Sequence, residues 1–310
     1  IYKFLVKDTL ILNDHWYILK RVYSTRKQKM SRQKKTSQYY RDMDGLGDEL
    51  KAIESSNGLS LLPNIPVYAR LDGKKFSKFT KGMDKPYDIK LSNIMIEVTK
   101  EIVDKTGATV GYTQSDEISI YWSNEKTQQQ MDFKGRLDKW IGELVGIATA
   151  KFMQLIAKDF PEKVDSLPRF DCRVFNCSQL DAAKFFIWRQ MDANKNSVNL
   201  VASVHFSDKY LKGISSKERK KRLREMGDPW EDYSDSFKNG IYVSKFMREV
   251  KVETDNSIPE KVKKNMPKTI ERSCIETFTI DHINKTENPI EIFNLIKNWK
   301  YKIGEILWLL

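Results

Sequence analysis

The strongest constraint on this chain is a change of hydrophobic period, repeated in a fixed order between residues 65 and 205. Val67, Ala69 and Leu71 alternate with Tyr68 and Arg70, the period of a half-buried strand. Leu91, Ile94, Met95, Val98 and Ile102 then recur at helical spacing, after a capping Asp88 and before a terminating Gly107. Thr109–Thr113 and Ile118–Trp122 are β-rich runs joined as a hairpin around Ser115 and Asp116. Leu137, Trp140, Ile141, Leu144, Ala148, Phe152 and Leu155 mark a long amphipathic helix that exits at Pro161 and Pro168. Phe170–Phe175 is a last strand, and Ser178 or Asp181 opens a helix through Phe185, Trp188 and Met191. The order β-α-β-β-α-β predicts an α+β chain with a ferredoxin-like split βαβ core.

The flanks differ from this core. Residues 1–44 form a basic extension, expected to be poorly ordered, with Met30 as an internal start. Residues 45–205 are expected to form one domain, beginning with a helix through Ile53. Residues 206–310 are a basic C-terminal region with β-like fragments at 241–243 and 277–280 and a helical tail after Ile290.

Net charge is +12, from 54 basic and 42 acidic residues, which favours a polyanionic partner. The charge is clustered: Arg21–Thr36 holds seven basic residues and no acid, and Lys217–Arg224 holds six with one acid. Three cysteines and three histidines support neither a disulfide framework nor a zinc site, and a cytoplasmic setting is expected. No uninterrupted apolar run reaches the roughly 18 residues of a membrane span, so no membrane partner and no secretory signal are expected. His205 and His282 read as structural, and Trp188 and Trp230 as packing residues, with Arg189 the better functional candidate.

The candidate chemistry lies at the strand ends. Asp72-Gly73 closes the first strand, and Ser115-Asp116-Glu117 sits at the hairpin turn. Each is also compatible with an ordinary solvated turn. In a split βαβ sheet, however, the first strand lies beside the second arm of the hairpin, so Asp72 and Asp116 converge. Two close carboxylates repel unless a cation joins them, and oxygen ligands suit Mg²⁺. Asp72, Asp116 and the Gly73 carbonyl therefore read as ligands of a two-metal nucleotidyl-transfer site. Lys74, Lys75, Phe76, Ser77 and Lys78 follow directly, and Lys85 precedes a helix start; both segments suit a triphosphate.

These segments, Arg70-Leu71-Asp72-Gly73-Lys74-Lys75-Phe76-Ser77-Lys78-Phe79-Thr80, Lys85-Pro86-Tyr87-Asp88 and Gln114-Ser115-Asp116-Glu117, closely resemble the tRNA(His) guanylyltransferase family. The likeness continues through Phe170-Asp171-Cys172-Arg173-Val174 and Trp188-Arg189-Gln190-Met191-Asp192, and weakens after about residue 205. The resemblance implies a polymerase palm-like catalytic core with helical and basic C-terminal additions. It implies two Mg²⁺ ions at Asp72, Gly73 and Asp116, with Glu117 in the catalytic group. It implies nucleotide contacts from Asp72 to Ser77 and from Lys85, Ser115 and Asp116. GTP and ATP are the implied substrates, tRNA the partner, and a homotetramer the assembly. Arg189, Asn194, Lys195, Lys217, Arg219, Lys220 and Lys238 are the candidate RNA contacts.

One departure bears on specificity. Members dedicated to tRNA(His) carry His-Ile-Asn-Asn where this chain has Asn194-Lys195-Asn196-Ser197. That points to a 3′-to-5′ polymerase that repairs tRNA 5′ ends. A strict tRNA(His) guanylyltransferase and a silent palm-fold RNA-binding protein are the alternatives.

Overall fold

A computed structural model describes residues 43–56, 58–123, 130–252, 266–280 and 288–306. Met30, the Arg21–Thr36 cluster, nearly all of the expected N-terminal extension, His282 and the last residues of the tail lie outside the described residues. Residues 1–58 and 59–310 are separate compact units. The first contains helix α1, Met43–Ser55.

In the second unit the strands are β1 (Val67–Gly73), β2 (Val110–Gln114), β3 (Glu117–Trp122), β4 (Phe170–Asn176), β5 (Ile241–Lys251) and β6 (Thr269–Phe278). They form one antiparallel sheet in the order β4-β1-β3-β2-β5-β6. Its first four strands have the expected split βαβ order. The helices are α2 (Phe76–Phe79), α3 (Ile89–Thr106), α4 (Leu137–Asp159), α5 (Gln179–His205), α6 (Asp208–Leu211), α7 (Ser216–Glu225), α8 (Asp235–Asn239) and α9 (Glu291–Ile306).

Alternation along β1 assigns the two sheet faces. Val67, Ala69 and Leu71 join Ile94, Val98 and Ile102 of α3 and Leu144, Ala148 and Phe152 of α4 in one core. Tyr68 faces the other way, into a core with Ala182, Ala183 and Phe186 of α5 and Ile292, Phe293 and Ile296 of α9. The Asp88 carboxylate accepts from the Lys90 and Leu91 amides and starts α3, and Gly107 ends it at φ 63°. The Ser178 hydroxyl accepts from the Asp181 amide and starts α5.

By length and composition α4 could cross a membrane. Its Trp140, Leu144, Ala148, Phe152 and Ile156 stripe is nevertheless buried, while Asp138, Lys139, Glu143 and Lys158 are exposed. It is an amphipathic core helix.

The structure differs from expectation beyond residue 205. The fragments at 241–243 and 277–280 are ends of the long strands β5 and β6, which extend the same sheet. Their outer halves are largely exposed, so they lack the alternation that marks a strand in sequence. Residues 206–239 pack on the end of α5 in a third cluster, with Leu211, Leu223, Trp230 and Phe237 against Val201 and Ala202.

Phe152 is fully buried among Phe76, Phe79 and Phe170, with ring centroids 5.3, 5.7 and 5.4 Å away. We expect Phe152→Ala to cost about 3–5 kcal/mol through lost burial and a residual cavity. Urea unfolding should show a lower midpoint with an unchanged slope.

Candidate functional site

The site begins where β1 ends. The Gly73 N–H donates to the Asp116 carbonyl at 3.1 Å, and the Lys74 N–H to the Arg169 carbonyl at 2.8 Å. The first bond ties the end of β1 to the β2–β3 turn, whose Ser115 takes a left-handed φ of 50°. In register, Asp72 pairs with Glu117 on one side and Asp171 on the other. Gly73 is obligatory here: a Cβ would stand 2.3 Å from the Phe76 ring, which is fixed among core aromatics.

Asp72 and Asp116 both line a cavity of about 1230 Å³. Neither carboxylate forms an ion pair with a described residue; the Ser115 hydroxyl donates to Asp116 at 3.1 Å. Burial pushes the Asp116 carboxyl above its ordinary value, and the Asp72 charge adds to that, against hydrogen bonds from its own amide and from Ser115. Two carboxylates and neighbouring main-chain carbonyls offer only hard oxygen donors. No group of three or more His, Cys, Asp or Glu side chains suited to a metal is present among the described residues.

The phosphate-binding candidates divide. Ser77 and Lys85 line the cavity, and Lys74 and Lys75 are exposed beside it. Lys75, at φ 60°, starts α2 with no side-chain cap. The first amides of that turn therefore have no intrahelical carbonyl. The other end of α2 is tied down by Lys163, whose ammonium donates to the Phe79 and Lys81 carbonyls at 3.0 Å each. On the far wall, Tyr87 stacks on Phe237 with centroids 4.2 Å apart.

The structure gives several of the predicted site residues partners inside the protein, and Phe76, Glu117, Arg189 and Arg219 also line the cavity. Phe76 is 4% exposed and belongs to the core, where it also backs the cavity wall. Glu117 is buried and accepts from the Arg189 Nε at 2.5 Å, while the Arg189 Nη2 donates to Asp192 at 2.9 Å. Burial pushes the Glu117 carboxyl up, and Arg189 holds it against that. Glu117 therefore anchors α5 to the sheet, and the Arg189 guanidinium is already committed inside the protein. Arg219 caps the Ile214 and Leu211 carbonyls and reaches Asn199. Lys238 pairs with Asp235 at 3.1 Å and donates to the Glu231 carbonyl. Lys220 lies over the Trp230 ring, 3.2 Å from its centroid. Asn194 donates to Asn239 at 3.1 Å, so it braces α5 against α8. Lys195 and Lys217 remain exposed. Trp188, read as a core residue, is 50% exposed.

Sequence reasoning missed Asp192 and Asn199, which also line the cavity. The Arg189-to-Asp192 spacing of three on a helix was the available signal. Nothing local announced Asn199.

A family profile described as Thg1, tRNAHis guanylyltransferase, matches residues 47–178. A bacterial tRNA(His) guanylyltransferase (Thg1)-like protein solved in complex with ATP aligns with a TM-score of 0.61 and 35% identity, over 64% of this chain and 88% of that one. The chain belongs to the tRNA(His) guanylyltransferase family. A bacterial Thg1-like protein in complex with GTP has a TM-score of 0.55 and 29% identity, over 74% of this chain and 90% of that one. The tRNA(His) guanylyltransferase of Schizosaccharomyces pombe is 30% identical over 173 residues, 51% of this chain. This chain spans 65% of that protein, just under two thirds of its length. An uncharacterised protein of Acanthamoeba polyphaga mimivirus is 24% identical over 235 residues, 68% of this chain and 79% of its own length. Guanylyltransferases are nucleotidyltransferases, so the family is one of enzymes, and its matched segment carries both Asp72 and Asp116.

The crowded carboxylates have a measurable cost. An acid whose folded pKa is raised binds its proton more tightly in the folded state, so stability falls as pH rises through that window. Asp116→Asn removes the titrating group. We expect its stability relative to the parent chain to improve between about pH 4 and pH 7, the range above an ordinary Asp. Urea denaturation at both pH values measures this, and Tm should rise by about 2 °C per kcal/mol of burial and repulsion cost relieved.

Proposed function

We propose that this chain is a Mg²⁺-dependent nucleotidyltransferase that adds GTP-derived nucleotides to the 5′ end of tRNA in the 3′-to-5′ direction, on a polymerase palm-like core. The observation that carries this reading is the proximity of Asp72 and Asp116 in the lining of a large cavity, neither forming an ion pair with a described residue. Two Mg²⁺ ions fit that donor set and would be held by Asp72, Asp116 and the Gly73 carbonyl. Bound there, they supply charge neutralisation for a triphosphate and lower the pKa of the attacking hydroxyl. The cavity exceeds the roughly 300–1,000 Å³ of a single-ligand site, which suits a nucleotide together with a second substrate. The bacterial relatives solved with ATP and with GTP support the same pair of substrates.

The chain's own residues have distinct tasks in this mechanism. Ser77, Lys85 and the open amides of the first turn of α2 bind phosphate oxygens. Lys74 and Lys75 add positive charge at the entrance. The Glu117–Arg189–Asp192 bridge fixes α5 over the sheet and keeps that wall of the cavity in place. A 5′-monophosphate is first adenylylated with ATP, releasing pyrophosphate. The 3′ oxygen of the incoming nucleotide then bonds to the activated 5′ phosphorus, the hydroxyl proton leaves to solvent, and AMP departs. A 5′-triphosphate reacts directly and releases pyrophosphate. The homotetramer and the cytoplasmic setting belong to the same proposal.

On specificity the reading is templated 5′-end repair. Asn194 stands where dedicated members carry His, and it is engaged with Asn239. Pairing with the opposing 3′ strand would then select the nucleotide. A strict tRNA(His) guanylyltransferase is the second reading, favoured by the named yeast relative.

Incorporation of labelled GTP separates the readings. With Mg²⁺, the wild-type chain should extend several 5′-truncated tRNAs, and EDTA should abolish the reaction. Asp72→Ala should lose at least about 10³-fold in rate, since metal and phosphate placement carry most of phosphoryl-transfer catalysis. A strong preference for intact tRNA(His), lost on changing its anticodon, would establish the strict enzyme instead. Near-normal activity in a folded Asp72→Ala would remove the metal assignment.

A further inference from the structure

The face of the sheet that carries Asp72 also carries a basic pair, flanked by Asp72 and Asp171 and without an ion pair of its own among the described residues. Arg70 on β1 and Arg173 on β4 are direct register partners, as are Asp72 and Asp171 one step further along. Partner Cα atoms in an antiparallel ladder lie about 5 Å apart. Like charges directly opposite are destabilising. Neither guanidinium forms an ion pair with a described residue, and Arg173 is exposed on an edge strand.

Above this pair stands Trp188 of α5. It is 50% exposed, in a helix whose neighbouring Phe185 and Phe186 turn inward against Tyr68. The Arg70 guanidinium carbon lies 5.7 Å from the Trp188 ring centroid, and that of Arg189 lies 4.5 Å from it. Arg189 also lines the cavity. The indole therefore sits one side chain away from the cavity wall, on its outer side. Arg70 set against an exposed indole, with Arg173 opposite it at the sheet edge, matches a ligand that presents an anion and a flat π surface together. An RNA strand offers that combination, phosphate and base, at every nucleotide.

We propose that Trp188, Arg70 and Arg173 form an RNA-positioning platform outside the nucleotide cavity. Trp188 stacks on an unpaired base of the RNA near its reacting end, and the arginine pair holds the adjoining phosphate. The placement follows from the strand register, because Arg70 is two residues from Asp72 on the same face. The platform rests on the reading of Asp72 and Asp116 as the reaction centre for its role, but not for its affinity. Binding alone can therefore test it.

The experiment measures anisotropy of a fluorescently labelled 5′-truncated tRNA against full-length protein over a range of KCl, for wild type, Trp188→Ala, Trp188→Phe and Arg173→Gln. Trp188→Ala should weaken binding about tenfold, and Trp188→Phe should recover much of it, as expected for stacking. Arg173→Gln lies on an exposed edge position where folding is not at stake. It should reduce the slope of log affinity against log salt by about one. Unchanged affinity and slope in a wild type that binds tRNA would overturn the platform. So would an affinity loss that tracks a change in particle mass by light scattering, because the indole would then be meeting a second copy of the chain. A wild type that binds tRNA through Trp188 but adds no nucleotide would sustain the platform and refute the proposed activity. Absence of any salt-dependent tRNA binding would overturn both.

Discussion

A single backbone hydrogen bond organises the site. The Gly73 N–H reaches the Asp116 carbonyl at 3.1 Å, and that closure is possible only because residue 73 has no side chain to strike Phe76. The bond brings two carboxylates together at the end of the sheet, where water is partly excluded and neither forms an ion pair with a described residue. Folding here builds in a repulsion that the protein does not resolve by itself. Unsatisfied charge of this kind is costly, and in proteins it marks places reserved for a ligand.

The rest of the fold can be understood as support for that arrangement. The core under α3 and α4 locks Phe76, and through it the turn after Asp72. On the opposite face, Glu117 and Arg189 bind α5 to the sheet in a buried pair. Removing one partner of such a pair leaves an uncompensated buried charge, typically worth about 3–5 kcal/mol. The two acids of the Asp116-Glu117 dipeptide thus do different things. Both line the cavity, but Glu117 is paired with Arg189, whereas Asp116 forms no ion pair with a described residue. Adjacent positions on a strand point to opposite faces or lie at its end, which is why neighbouring residues of one motif can part company so completely.

That division also explains what could be foreseen from sequence. The split βαβ order was legible because both periods are strong in the buried core, and because Asp88, Gly107 and Ser178 punctuate the helices with specific chemistry. The proximity of Asp72 and Asp116 followed from the strand order. The outer halves of β5 and β6 were not legible, because they are exposed and have no apolar alternation to betray them. The basic residues were harder still. Arg189, Arg219 and Lys238 look the same in sequence whether they face RNA, cap a carbonyl or balance a buried acid, and only the fold reveals their partners. Trp188 failed in the opposite direction: its helical phase is close to that of Phe185, yet half of it is exposed, because Phe185 and Phe186 fill the space against Tyr68.

The central claim is that Asp72 and Asp116 form a divalent-cation site that the protein leaves for its substrates to complete. Electron paramagnetic resonance of Mn²⁺, titrated into the protein with GTP present, tests it without relying on turnover. The account predicts saturable binding that Mg²⁺ displaces and that is lost in a folded Asp116→Asn variant. Equal Mn²⁺ binding by the wild type and that variant would contradict it.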